Sequence, residues 1–101
     1  MVILMIYVGN AFSTKMLDAP QTVKFEEISK DEFDCIKDNA TSVVGHQDTA
    51  NVLGVEMNRV SLKLQKNDIL YVAELQGGRL PEGVTSLPNG FTFKYIKCEI
   101  L

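Results

Sequence analysis

Residues 59–75, RVSLKLQKNDILYVAEL, constrain how the rest of the chain is arranged. Val60, Leu62 and Leu64 alternate with polar neighbours, which is the period-two pattern of a half-buried strand. Residues 69–75 follow as a mostly apolar run of strand length, and Lys66-Asn67-Asp68 between the two is turn chemistry. The stretch therefore predicts a β-hairpin.

Upstream, residues 2–8 (VILMIYV) are continuously apolar, as a strand covered on both faces would be. GNAFSTKML (9–17) ends that strand and turns into a short helical piece, with Ser13 as a possible cap. Residues 18–21 make a turn at Pro20, and TVKFEEI (22–28) alternates as an edge strand would. SKDEFDCIKDN (29–39) opens on a capping box, Ser29-x-x-Glu32, and carries Phe33 and Ile36 at helical spacing. QDTANVLG (47–54) predicts a second short helix, capped by Asp48 or Thr49 and stopped by Gly54. Downstream, residues 77–90 form one long loop holding four of the seven glycines and two of the three prolines. Loops of that length in compact domains are often functional. The final strand, 91–100, sets Phe91, Phe93 and Tyr95 on one face and offsets Ile96, Cys98 and Ile100 from them. The element order β-α-β-α-α-β-β-β predicts a small α/β domain over residues 1–101, with a mixed central sheet and short flanking helices.

Bulk properties narrow the function. At 46% apolar and 23% charged, the 101 residues have the composition of one globular domain and not of a disordered chain. A net charge of −3 argues against a broad basic surface for duplex DNA or an anionic membrane. It leaves room for a small anionic ligand held by one or two cations. The apolar opening is shorter than the roughly 20 residues a membrane span needs, and it has neither the cationic flank nor the cleavage site of a leader. Cys35 and Cys98 fit no zinc or redox spacing, so reduced thiols in a cytoplasmic protein are expected.

His46, the single histidine, lies two residues before the expected helix cap. Phosphates favour such a place because free backbone N–H groups point outward there, and histidine is the side chain best suited to proton transfer near neutrality. A solvated turn histidine is the alternative. Arg79 offers a planar fork for phosphate or carboxylate, or a surface ion pair with Glu82. Glu82 could act as a base or simply be solvated, and Ser13 could bond a ligand hydroxyl or cap its helix. Lys15 and Arg59 could add positive potential, or lie on a solvated face. Asn10 and Ser13 follow one strand, Arg79 and Glu82 another, and His46 precedes a helix. Ligands in α/β sheets gather at the carboxyl ends of strands, so three loops are expected to converge there. No P-loop, dinucleotide fingerprint or nucleophile elbow is present, and no residues show metal-ligand spacing, so neither metal nor cofactor is expected.

At GNAFSTKML, VVGHQDTANVLGVEMNRV and GGRLPEG, the order and spacing resemble the viral ring nucleases that act as anti-CRISPR proteins against type III systems, with their cellular and mobile-element relatives. The resemblance runs from about Asn10 to Gly83, and three motifs in one order are more specific than any alone. It implies an α/β homodimer that binds cyclic tetra-adenylate at the subunit interface and cuts it to linear di-adenylate with a 2′,3′-cyclic phosphate. His46 would be the general acid, Arg79 would contact phosphate, and Glu82 would assist proton transfer or position the other groups. Asn10, Ala11, Phe12, Ser13 and Gly45 would line the ligand, with Ser13 near the ribose. The competing expectations are a sponge or sensor that binds the ring without cutting it, and a small dimeric DNA-binding regulator.

Overall fold

The computed structural model describes residues 5–101, so residues 2–4 of the expected first strand lie outside the described residues. The chain forms β1 (Ile6–Gly9), a 3-10 turn (Thr14–Met16), β2 (Val23–Ile28), α1 (Lys30–Lys37), β3 (Thr41–Ser42), α2 (Gln47–Leu53), β4 (Ile69–Gln76) and β5 (Thr92–Ile100). The five strands make one mixed sheet in the order β2-β5-β4-β1-β3. β4, β1 and β3 run parallel to one another, while β5 is antiparallel to both β4 and β2. β2 is an edge strand, as its alternation predicted.

Local chemistry sets the helices. Ser29 caps α1, its hydroxyl accepting from the Glu32 amide at 3.1 Å, with Asp31 and Glu32 in the first turn and Lys37 in the last. Ser13 caps the 3-10 turn in the same way through the Lys15 amide, at 3.2 Å. Gly54 ends α2 in the left-handed conformation, at φ 74°. The start of α2 differs from expectation. The cap position is His46, whose side chain makes no capping bond, and Asp48 and Thr49 lie inside the helix.

The hairpin also differs. β4 turns back on β5 across the long loop, and residues 59–65 are not a strand. Both edges of β4 are already taken, by β1 and β5. The alternating segment lies across the sheet face instead, held by a backbone bond from Leu64 to Met16 at 2.7 Å. Its periodicity serves packing: Leu64 is fully buried and Leu62 half-buried over the sheet, while Val60 stays exposed. The expected turn at 66–68 does form. Asn67 has φ 75°, and buried Asp68 accepts from the Gln65 amide at 2.8 Å.

Two apolar layers sandwich the sheet. Val8, Tyr71 and Ala73 pack with Phe33 of α1 and with Ala50 and Leu53 of α2 on one face. Leu70, Val72, Cys98 and Ile100 pack under Leu64, Leu17 and Met16 on the other. Register is reinforced by charge, because Lys24 lies opposite Glu99, Glu26 opposite Lys97 and Glu74 opposite Lys94. A slip of one residue would break these pairs and turn each apolar set to the wrong face.

The short strand β3 was not evident in the sequence. Beyond it, the chain at 56–59 is bonded along its length to residues 42–45. Ser42 donates its hydroxyl to the Glu56 carbonyl at 2.5 Å, the Asn58 side-chain amide donates to the Ser42 carbonyl at 2.9 Å, and the Asn58 backbone amide donates to the Val44 carbonyl at 2.8 Å.

Candidate functional site

Because β4, β1 and β3 are parallel, the segments that leave their carboxyl ends emerge at one edge of the sheet. Residues 10–13 follow β1, residues 43–46 follow β3, and residues 77–91 follow β4. The three segments leave at one edge as expected, but only those after β3 and β4 share a cleft, and residues 10–13 line no part of it.

His46 and Arg79 line one cleft of about 210 Å³, together with Asp48, Thr49, Leu75 and Leu80. Both are exposed. His46 is held by its backbone, whose carbonyl accepts the Ala50 amide at 2.9 Å as α2 begins. Since its imidazole does no capping, the side chain is left free for the cleft. Arg79 stands two residues past Gly77, where the long loop leaves β4. A Cβ on Gly77 would lie 2.6 Å from the Gly90 carbonyl oxygen, so the two ends of the loop touch at a point only glycine allows.

Asp48 ties the two sides of the cleft together. Its Oδ1 accepts the Gly83 amide across 35 positions of sequence, at 3.1 Å. The carboxylate read as a helix cap is in fact a staple between α2 and the long loop. Glu82, next to Gly83, is exposed and is not among the residues that line the cleft. Among the described residues, Arg79 and Glu82 are not ion-paired with each other.

The residues after β1 divide. Asn10 is half-buried at the shared edge and Ala11 is exposed. Phe12 packs with the second apolar layer and meets Phe25 edge-on, centroids 5.3 Å apart at 84°, so as placed it is a packing residue. Ser13, occupied as a cap, lines a separate hollow with Lys15, Met16, Val60, Leu62 and Lys63. Gly45 offers its carbonyl to Arg59, which donates from Nε at 3.1 Å and from Nη2 at 2.9 Å.

The structure thus brings His46 and Arg79 together in one cleft and leaves Gly45, Glu82 and residues 10–13 outside its lining. Sequence reasoning missed Asp48 as the staple and Arg59 as the clamp on Gly45. Among the described residues, no three or more His, Cys, Asp or Glu side chains are grouped to hold a metal ion, and no helix is long and apolar enough to cross a membrane.

These features define a small α/β domain with a mixed five-stranded sheet, whose polar cleft lies at the carboxyl ends of its parallel strands. The chain belongs to the STIV B116-like family, whose model matches residues 6–92. In fold it is similar to B116 of Sulfolobus turreted icosahedral virus, with a TM-score of 0.73 and 22% identity over 91% of this chain and 97% of that one. A comparison with curated proteins gives no match. The family is viral in its naming member, and at this identity the structural likeness speaks for the fold.

Proposed function

We propose that this chain is a metal-independent ring nuclease that opens cyclic tetra-adenylate to linear di-adenylate ending in a 2′,3′-cyclic phosphate, and so switches off type III CRISPR signalling. The observation that carries the reading is that His46 and Arg79, 33 positions apart in the sequence, line one cleft. The motif resemblance at residues 9–17, 43–60 and 77–83 supplies the substrate.

The nucleophile is the substrate's own ribose 2′-oxygen. It forms a bond to the adjacent phosphorus as the bond from phosphorus to the leaving 5′-oxygen breaks. The 2′-hydroxyl proton passes to Glu82 or to solvent water, and His46 gives a proton to the departing 5′-oxygen. Positioning an attacking group already built into the substrate supplies much of the acceleration. The Arg79 guanidinium compensates charge that builds on the non-bridging oxygens, and protonation by His46 contributes on the order of 100–10,000-fold. Glu82, placed outside the cleft lining, acts on the turn that presents Arg79 or accepts the 2′-proton once the ring is bound.

The test is incubation with cyclic tetra-adenylate in EDTA, with products resolved by mass spectrometry. Linear di-adenylate is expected from the wild type, with a loss of at least about 100-fold in His46→Ala and in Arg79→Ala. A ring that is bound but intact would make the protein a sponge, and a ring neither bound nor cut would remove the proposal altogether.

A further inference from the structure

Arg59 falls in the segment whose period-two pattern would send it outward as a solvated strand residue. The structure gives it a defined partner. Its Nε and Nη2 both donate to the carbonyl oxygen of Gly45, at 3.1 and 2.9 Å, and Gly45 immediately precedes His46. This fork is the last of a run of bonds between residues 56–59 and 42–45. The others are Ser42 to Glu56, Asn58 to Ser42 and Asn58 to Val44. The run anchors the chain leaving β3 up to the residue before the histidine. At His46 the backbone is extended, φ −123° and ψ 129°, and it passes directly into α2.

From this geometry we infer that Arg59 is a positioning residue for His46, a role that rests on the ring-nuclease reading for its catalytic consequence but not for its structural one. His46 lacks the side-chain bond that usually fixes a cap residue. With α2 holding it from one side only, the orientation of its imidazole depends on how firmly Gly45 is held from the other. The Arg59 fork supplies that hold. A general acid misplaced by about 1 Å can lose on the order of 100-fold in rate, so a clamp one residue away has leverage on the chemistry without touching substrate.

The donors can be separated from the charge. A glutamine at position 59 carries its side-chain nitrogen the same number of bonds from Cα as the arginine Nε, so Arg59→Gln keeps one donor to Gly45 and removes the charge. Arg59→Met keeps the stem and removes both, and Arg59→Lys keeps the charge without the fork. With a single histidine in the chain, the imidazole NMR signals belong to His46 without further assignment. In the protein without ligand, those signals are expected to shift in Arg59→Met and return toward wild type in Arg59→Gln, with urea unfolding confirming that each variant is folded. With cyclic tetra-adenylate, the single-turnover rate of Arg59→Met is expected to fall at least tenfold while ring affinity, measured on a His46→Ala background, stays within threefold. Arg59→Gln should recover most of that rate.

Unmoved imidazole signals in Arg59→Met would overturn the inference. So would recovery by Arg59→Lys but not Arg59→Gln, or a loss of ring affinity large enough to account for the lost rate. If the wild type cuts no ring, the ring-nuclease reading fails and the imidazole signals alone decide whether Arg59 positions His46.

Discussion

His46 occupies a position where another residue would serve stability better. Serine, threonine, aspartate and asparagine are the side chains that satisfy the free amides of a first helical turn, and here the imidazole leaves that bond unmade. Replacement by asparagine should therefore strengthen α2, by up to about 1 kcal/mol, while abolishing the proposed ring cleavage. Urea unfolding and the EDTA assay on one His46→Asn preparation measure both effects. A variant that cuts at the wild-type rate would end the case for His46 as the acid. Cys98 gives an independent prediction. Burial pushes its thiol up from 9.0 to about 11, so between those values the native state keeps a proton that the unfolded chain has lost. The resulting stability is full below pH 9 and is lost as pH rises through 11, amounting to about 2–3 kcal/mol. Unfolding at pH 8 and pH 10.5 should show a steeper alkaline decline in wild type than in Cys98→Ala, and equal slopes would contradict it. At this scale the sequence was partly legible. Residue type marked out His46 and Arg79, whereas Arg59 and Asp48 act through partners 14 and 35 positions away, which no local pattern encodes.

Elements were legible where local chemistry decides them and illegible where neighbours do. The capping serines, the stop at Gly54 and the alternation of β2 are local, and each was readable. Residues 59–65 carry a strand's periodicity but find both edges of β4 occupied, so the pattern is spent on covering a sheet face. β3 is two residues long and exists only because β1 lies beside it. The long loop combines the two cases: its glycines announced a turn, but not that its two ends meet. Gly77 sits at φ 110°, and a Cβ there would press on the Gly90 backbone, whereas a Cβ on Gly83, at φ 81°, would meet open space. Gly77→Ala should therefore cost about 2–4 kcal/mol in denaturant unfolding and displace Arg79 with it, against about 1–2 kcal/mol for Gly83→Ala. Equal costs would mean that the contact between the loop's ends contributes nothing to holding it.

At the scale of the molecule, one topological fact organises the site: three parallel strands, β4, β1 and β3, end at the same edge. The apolar run at the start of the chain and the placement of polar residues after it made that edge legible in advance. The size of the cleft was not legible. A cleft of about 210 Å³ falls below the roughly 300–1,000 Å³ usual for drug-sized ligands. On the proposed reading, such a volume takes one internucleotide linkage rather than a whole ring of four nucleotides. If the chain opens cyclic tetra-adenylate, two clefts related by a two-fold axis would meet equivalent halves of a symmetric ring, and cutting both linkages yields the two di-adenylates. Native mass spectrometry of His46→Ala with cyclic tetra-adenylate should then show two chains holding one ring, and titration calorimetry should saturate at half a ring per chain. Saturation at one ring per chain would mean that a single cleft accommodates the whole ligand, and the division of the ring between two subunits would have to be abandoned.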